Sequence, residues 1–209
     1  MSKRDFIGEI KELQKRLPEA AHNILGHQDA LIELITMYPE DRTTSTHTVA
    51  VSHYMAVRLV AILQSAFRAV IREAVDYNAQ HNKLLPKIDE KITLQMVSEF
   101  ANKAVTIGEF VAHLMPLNSL GQMQKSFEIA TGRSLKSVVS PQLKGKEATK
   151  TSYLDLERAI QQLFKERNII CHEIRDNDAI PSDTLGLWCL SVLLMVSALG
   201  FYEADFITM

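Results

Sequence analysis

Arg167, Asn168 and His172 lie within the stretch Glu166-Arg167-Asn168-Ile169-Ile170-Cys171-His172, and their types suit chemistry on a phosphodiester. Cleavage of RNA by its own 2′-hydroxyl needs a base for that hydroxyl, an acid for the leaving 5′-oxygen and a cation for the charged phosphorane. Histidine suits proton transfer because its ordinary pKa lies near neutrality. Arginine suits the phosphorane because its planar fork donates two parallel hydrogen bonds and never loses its charge. Asn168 stands four residues before His172, on the same helix face, where its amide can orient the imidazole or the scissile phosphate. Such a reaction calls for no metal and no cofactor.

The element that must position these side chains is a helix expected from about Tyr153. Leu156, Ile160, Leu163 and Ile170 recur at three- and four-residue steps and mark one apolar face. Arg167 falls on that stripe, where an unpaired charge is costly to bury. His172 is five residues further on, so the two side chains diverge by roughly 140° around the helix. They converge on one target if Arg167 reaches round, or if a second copy of the helix faces the first. Taken singly, each residue has a plainer reading. Arg167 can pair with Asp155 or Glu157, His172 can sit at a helix C-terminus favoured by the macrodipole, and Asn168 can be a surface amide. Cys171 reads as a small core residue, because no base stands at suitable spacing.

The pattern Arg167-Asn168-x-x-x-His172, late in the chain and just before a final apolar helix, resembles that of the HEPN superfamily of ribonucleases. The resemblance implies an all-α fold, a HEPN-like bundle of four to five main helices with extra short helices at the N-terminus. It implies a metal-independent endoribonuclease in which Arg167 and His172 are the catalytic pair and Asn168 the supporting polar residue. One histidine per chain does not easily serve as both base and acid, and a two-fold homodimer apposing two motif helices supplies two of each. Family members of this kind act as growth-arresting toxins or in microbial antiviral defence, which implies an antitoxin or companion subunit as partner. The rival expectation is a non-catalytic helical interaction module, antitoxin-like or structural.

A chain of 209 residues with 46% apolar and 23% charged residues is expected to form one domain around a proper core. Its net charge of −2 excludes a globally basic nucleic-acid binder, so any basic surface is local. Cys171 and Cys189 show neither disulfide nor zinc spacing and suggest a reducing, cytoplasmic setting. Met1 to Arg16 is amphipathic and charged, without the apolar core of a signal peptide. The seven histidines are scattered, and no dinucleotide, phosphate-loop or zinc-protease motif occurs.

In order, residues 1–46 read as an extension with short helices, the first carrying Phe6, Ile10 and Leu13. A long helix follows from Thr48 to about Tyr77, with His53 as a core histidine. Leu94 to Leu114 reads as one helix and Leu120 to Ala130 as a shorter one. Residues 131–151 lose the periodicity, hold Gly132, Pro141 and Gly145, and read as a basic loop with a β-like scrap at Ser137–Val139. Arg133, Lys136, Lys144, Lys146 and Lys150 in this loop are the candidate RNA contacts, irregularly spaced as suits phosphate tracking, and expected to hang over the motif's cleft. Ser152-x-x-Asp155 resembles a capping box that starts the motif helix, and Asp183 is placed to cap the last one. Thr184–Tyr202 is uncharged and long enough to span a bilayer. It lacks flanking Lys/Arg clusters and reads as a helix buried in the bundle, with no membrane partner.

Overall fold

Apolar residues at three- and four-residue steps set the architecture. The computed structural model describes residues 5–16, 29, 31–33, 36, 46–77, 94–102, 104–144, 151–172 and 178–207. In chain order the helices are α1 (Phe6–Arg16), α2 (Thr46–Tyr77), α3 (Leu94–Ala101), α4 (Ile107–Leu114), α5 (Leu120–Thr131), α6 (Leu135–Lys144), α7 (Tyr153–His172) and α8 (Ser182–Ile207). The protein is all-α, with no strand among the described residues.

α2 is the axis of the main core. At 32 residues it spans about 48 Å. Its expected stripe of Ala56, Val60, Leu63, Phe67, Val70 and Ala74 is buried, and Met55, Leu59, Ile62 and Ile71 are buried as well. α4, α5, α7 and α8 all pack on it. Each large apolar side chain removed from water this way contributes on the order of 1.5–3 kcal/mol. Phe127 of α5 sits edge-on to Phe67 of α2 and tilts against Tyr202 of α8, joining three helices in one aromatic contact. A smaller cluster of Ile7, Ile10, Met96, Val105 and Phe110 docks α1 onto α3 and α4. Polar ties fix that docking: Glu9 with His113 at 2.9 Å, Lys11 with Glu99 at 2.7 Å, and Gln14 Nε2 donating to Glu109 at 2.8 Å.

Two expectations are corrected here. Leu94–Leu114 is two helices, because Thr106 caps a new one. Its hydroxyl accepts from Glu109 N–H, and the Glu109 carboxylate accepts from Thr106 N–H, a reciprocal box. Asp76 of α2 accepts from the Thr106 hydroxyl and from Gly108 N–H, both at 2.7 Å. Gly108 is required there, since a Cβ would collide with the Arg72 carbonyl.

Residues 131–151 are not a plain loop. Gly132, at φ 71°, closes α5 in the left-handed region, and α6 begins three residues later. Leu135, Val138, Val139 and Leu143 form one buried helical face, so the β-like scrap is helix. Pro141 removes one backbone donor from α6, a cost offset by burying those four side chains. α6 packs against α8 and α7.

α8 buries Leu185, Trp188, Val192, Met195, Val196 and Leu199, as a core helix does, while Leu187, Leu190 and Phe201 stand exposed. Thr48–Tyr77 and Ser182–Tyr202 are each long and apolar enough to cross a membrane, with 61% and 56% of their most apolar windows buried within the protein. Asp183 lies inside the first turn of α8 and so does not cap it, where its charge suits the helix dipole.

Candidate functional site

α7 carries the motif, and its register is set at its start. Ser152 and Asp155 form the expected box: Asp155 N–H donates to the Ser152 hydroxyl, and Ser152 N–H and its hydroxyl donate to the Asp155 carboxylate. These bonds from Ser152, with the Arg158 guanidinium nearby, hold the Asp155 carboxyl below its ordinary range. Leu156, Ala159, Ile160, Leu163 and Phe164 then bury one face against α2 and α8. The core ends one turn later. Arg167 continues the buried stripe in register but is only half-buried, and Ile170 packs on the core's margin.

At that margin the Arg167 guanidinium donates from Nη1 to Asn168 Oδ1 at 3.0 Å. Among the described residues no carboxylate lies within ion-pairing distance of Arg167. The acids that might have held it are engaged elsewhere: Asp155 faces Arg158 at 3.9 Å, and Glu157 accepts from Gln124 at 2.7 Å. His172, the last residue of α7, is exposed, and its ring makes no hydrogen bond among the described residues. Asn168 and His172 share one outward face, one turn apart, with Arg167 rotated away from them. Cys171 is exposed, so its reading as a core residue is corrected; the helix has by then run past the core. Cys189 is the buried thiol, pushed up to about 11 by burial.

The candidate RNA contacts divide. Arg133 is exposed, with its guanidinium 5.7 Å from the Tyr202 ring centroid. Lys136 is exposed and lines a cavity of about 400 Å³ with Tyr153, Leu154 and Glu157. Leu154 stands thirteen residues before Arg167, so Lys136 is roughly 20 Å along α7 from the motif. The expectation that this region hangs over the motif's cleft is therefore corrected for Arg133 and Lys136 within one chain: α6 packs back along the helix instead of projecting past its far end. The Lys144 side chain and all of Lys146 and Lys150 lie outside the described residues.

A second feature escapes a motif reading. An open cavity of about 430 Å³ lies between the C-terminal half of α7 and the segment entering α8. Gln162, Glu166 and Ile169 line it from α7, at positions i, i+4 and i+7, and Pro181, Thr184 and Trp188 line it from the other side. Its wall is fixed from α2. Ile180 N–H donates to the Ser52 hydroxyl at 3.1 Å, and the His53 ring lies 3.3 Å from the Asp178 carbonyl. His53, expected in the core, is half-buried in this role. Sequence periodicity could have flagged Gln162–Glu166 as one polar face, but not the partner segment across from it.

Among the described residues no group of three or more His, Cys, Asp or Glu is placed to hold a metal ion. Comparison of the chain with family models, with curated proteins and with solved structures finds no match.

Proposed function

We propose that this protein is a HEPN-type endoribonuclease that cleaves RNA without a metal ion, through attack by the substrate's own 2′-hydroxyl. The observation that carries this reading is the state of Arg167: a guanidinium at the core margin, steadied by Asn168 and by no carboxylate, close in the chain to an exposed His172. A charge kept on an apolar stripe without an acid partner is unfavourable for folding and favourable for receiving a phosphate.

In this mechanism the His172 imidazole takes the 2′-hydroxyl proton, and the 2′-oxygen attacks phosphorus. Arg167 donates to the phosphorane oxygens, and Asn168 holds the guanidinium in place. The P–O5′ bond breaks, and the leaving oxygen takes a proton from an imidazolium, supplied by His172 of the partner subunit in a two-fold homodimer. The products are a 2′,3′-cyclic phosphate and a 5′-hydroxyl. Arg133 and Lys136 contact RNA phosphates further along the protein, and Lys144, Lys146 and Lys150 extend that basic run. The setting that fits this activity is cytoplasmic toxin or antiviral defence biology, restrained by an antitoxin or companion subunit.

A second reading is a non-catalytic helical interaction module. It is favoured by one specific observation, the exposed Leu187, Leu190 and Phe201 of α8, an apolar set such as a protein partner covers. Incubating the purified protein with a structured RNA in EDTA separates the two. Cleavage with 2′,3′-cyclic phosphate ends is the expected outcome. Strict dependence on added Mg²⁺ or Mn²⁺, or intact RNA at high enzyme concentration, would reject the ribonuclease reading.

A further inference from the structure

We propose that the cavity between α7 and the start of α8 binds one unpaired nucleobase of the RNA, with a preference for guanine. This deepens the ribonuclease reading and rests on it. At about 430 Å³ the space has room for a base and its ribose. Its walls suit a flat heterocycle: Ile169 and Pro181 are apolar, and the indole of Trp188 adds an aromatic surface. Its polar groups suit a base edge. Gln162 and Glu166 are one helical turn apart on α7, an amide that can donate beside a carboxylate that accepts. Guanine presents O6 as an acceptor next to the N1–H and N2–H donors, so the amide can serve O6 while the carboxylate takes both N–H groups. A charge-assisted pair of this kind discriminates against bases that offer a lone pair at the same position.

Two further observations point to a ligand at this place. Trp188 is 4% exposed, and its Nε1–H is buried with no acceptor among the described residues, a cost that persists until an acceptor reaches it. The wall of residues 178–180 is tied to α2 through Ser52 and His53, so the cavity stands preformed and loses little on binding. Its place relative to the motif is also suitable. Ile169 lines the cavity and His172 follows it by three residues on the same side of α7, about 4.5 Å further along the axis. A base held there sets its ribose toward the imidazole. The exposed Lys165 at the rim stands where a neighbouring phosphate would lie.

Trp188 is the chain's one tryptophan, so its intrinsic fluorescence reports on this cavity alone. The full-length protein is titrated with 5′-GMP, 5′-AMP, 5′-CMP, 5′-UMP and ribose 5-phosphate, none of which has the 3′-phosphodiester that cleavage requires. Saturable quenching by 5′-GMP is expected, about tenfold tighter than by the other nucleotides, with no response to ribose 5-phosphate. Gln162→Ala and the cavity-filling Thr184→Leu should each weaken 5′-GMP binding by about tenfold without changing the melting temperature. Equilibrium dialysis of the same ligands covers the case of binding without a fluorescence change. No binding of any nucleotide at millimolar concentration by either method, or equal binding of ribose 5-phosphate, overturns the proposal. If RNA is cleaved while no nucleotide binds, the base site falls and the ribonuclease reading stands. If 5′-GMP binds while RNA stays intact, the ribonuclease reading falls and the cavity remains a base site.

Discussion

At its N-terminal end α7 ties its polar groups to neighbours, and at its C-terminal end it does not. Ser152 and Asp155 satisfy one another, Asp155 faces Arg158, and Gln124 donates to both Glu157 and the Tyr153 hydroxyl. Twelve to seventeen residues on from Asp155, Arg167 has only the adjacent Asn168, and the His172 ring has no hydrogen bond among the described residues. Both ends lie on the same helix and border cavities of similar size. The difference is where the polar groups find partners. The first end is built for stability, since each donor and acceptor meets another within the fold. The second holds a cation and an imidazole at the surface, which adds little to folding and leaves them available to a substrate. That contrast carries the functional reading, and it can be broken from either side.

The largest expected effect is at the C-terminal end. Arg167→Ala should lower RNA cleavage by roughly 10²-fold or more, with an unchanged melting curve, because an oxyanion donor acts on the transition state. A large loss of thermal stability in that variant would assign Arg167 to the fold and erase the contrast. The smaller effect belongs to the other end. Ser152→Ala should cost about 1 kcal/mol of stability, a fall of roughly 2–4 °C in melting temperature, and leave cleavage rates unchanged. The same pair adds a pH signature. Asp155 is held below its ordinary range when folded, so its contribution is present above the unfolded carboxylate pKa and is lost as pH falls through the folded value. Acid unfolding of Ser152→Ala should therefore show a shallower loss of stability over that range. An identical acid profile would mean that the box contributes nothing to the start of α7.

Much of this organisation is legible in the residues. The stripe on α2 and the box at Ser152–Asp155 are local patterns, and the chain realises both. Arg167 falling on the apolar stripe of α7 is visible the same way, though where the core ends is not. That end decides whether Arg167 and Cys171 are buried, and it depends on α2 and α8 packed alongside. The misread segments share one cause. Thr106 and Gly108 start a new helix because Asp76, thirty residues earlier, accepts their hydrogens. Residues 135–144 form α6 despite Pro141 because α8 lies ready to cover Leu135, Val138, Val139 and Leu143. Local punctuation suggested continuity in the first case and a break in the second, and tertiary partners decided otherwise. The cavity beside Trp188 was invisible for the same reason, since its two walls meet only in the folded chain.

His172→Ala tests the central claim most directly. The initial rate of cleavage of one defined RNA in EDTA is compared between the wild-type protein and this variant, purified identically and matched in helical signal and melting temperature. A fall of about 10²- to 10⁴-fold is expected for loss of the acid–base group. Cleavage by His172→Ala at the wild-type rate would contradict the account, because no other described residue at this end of α7 is assigned the proton transfers.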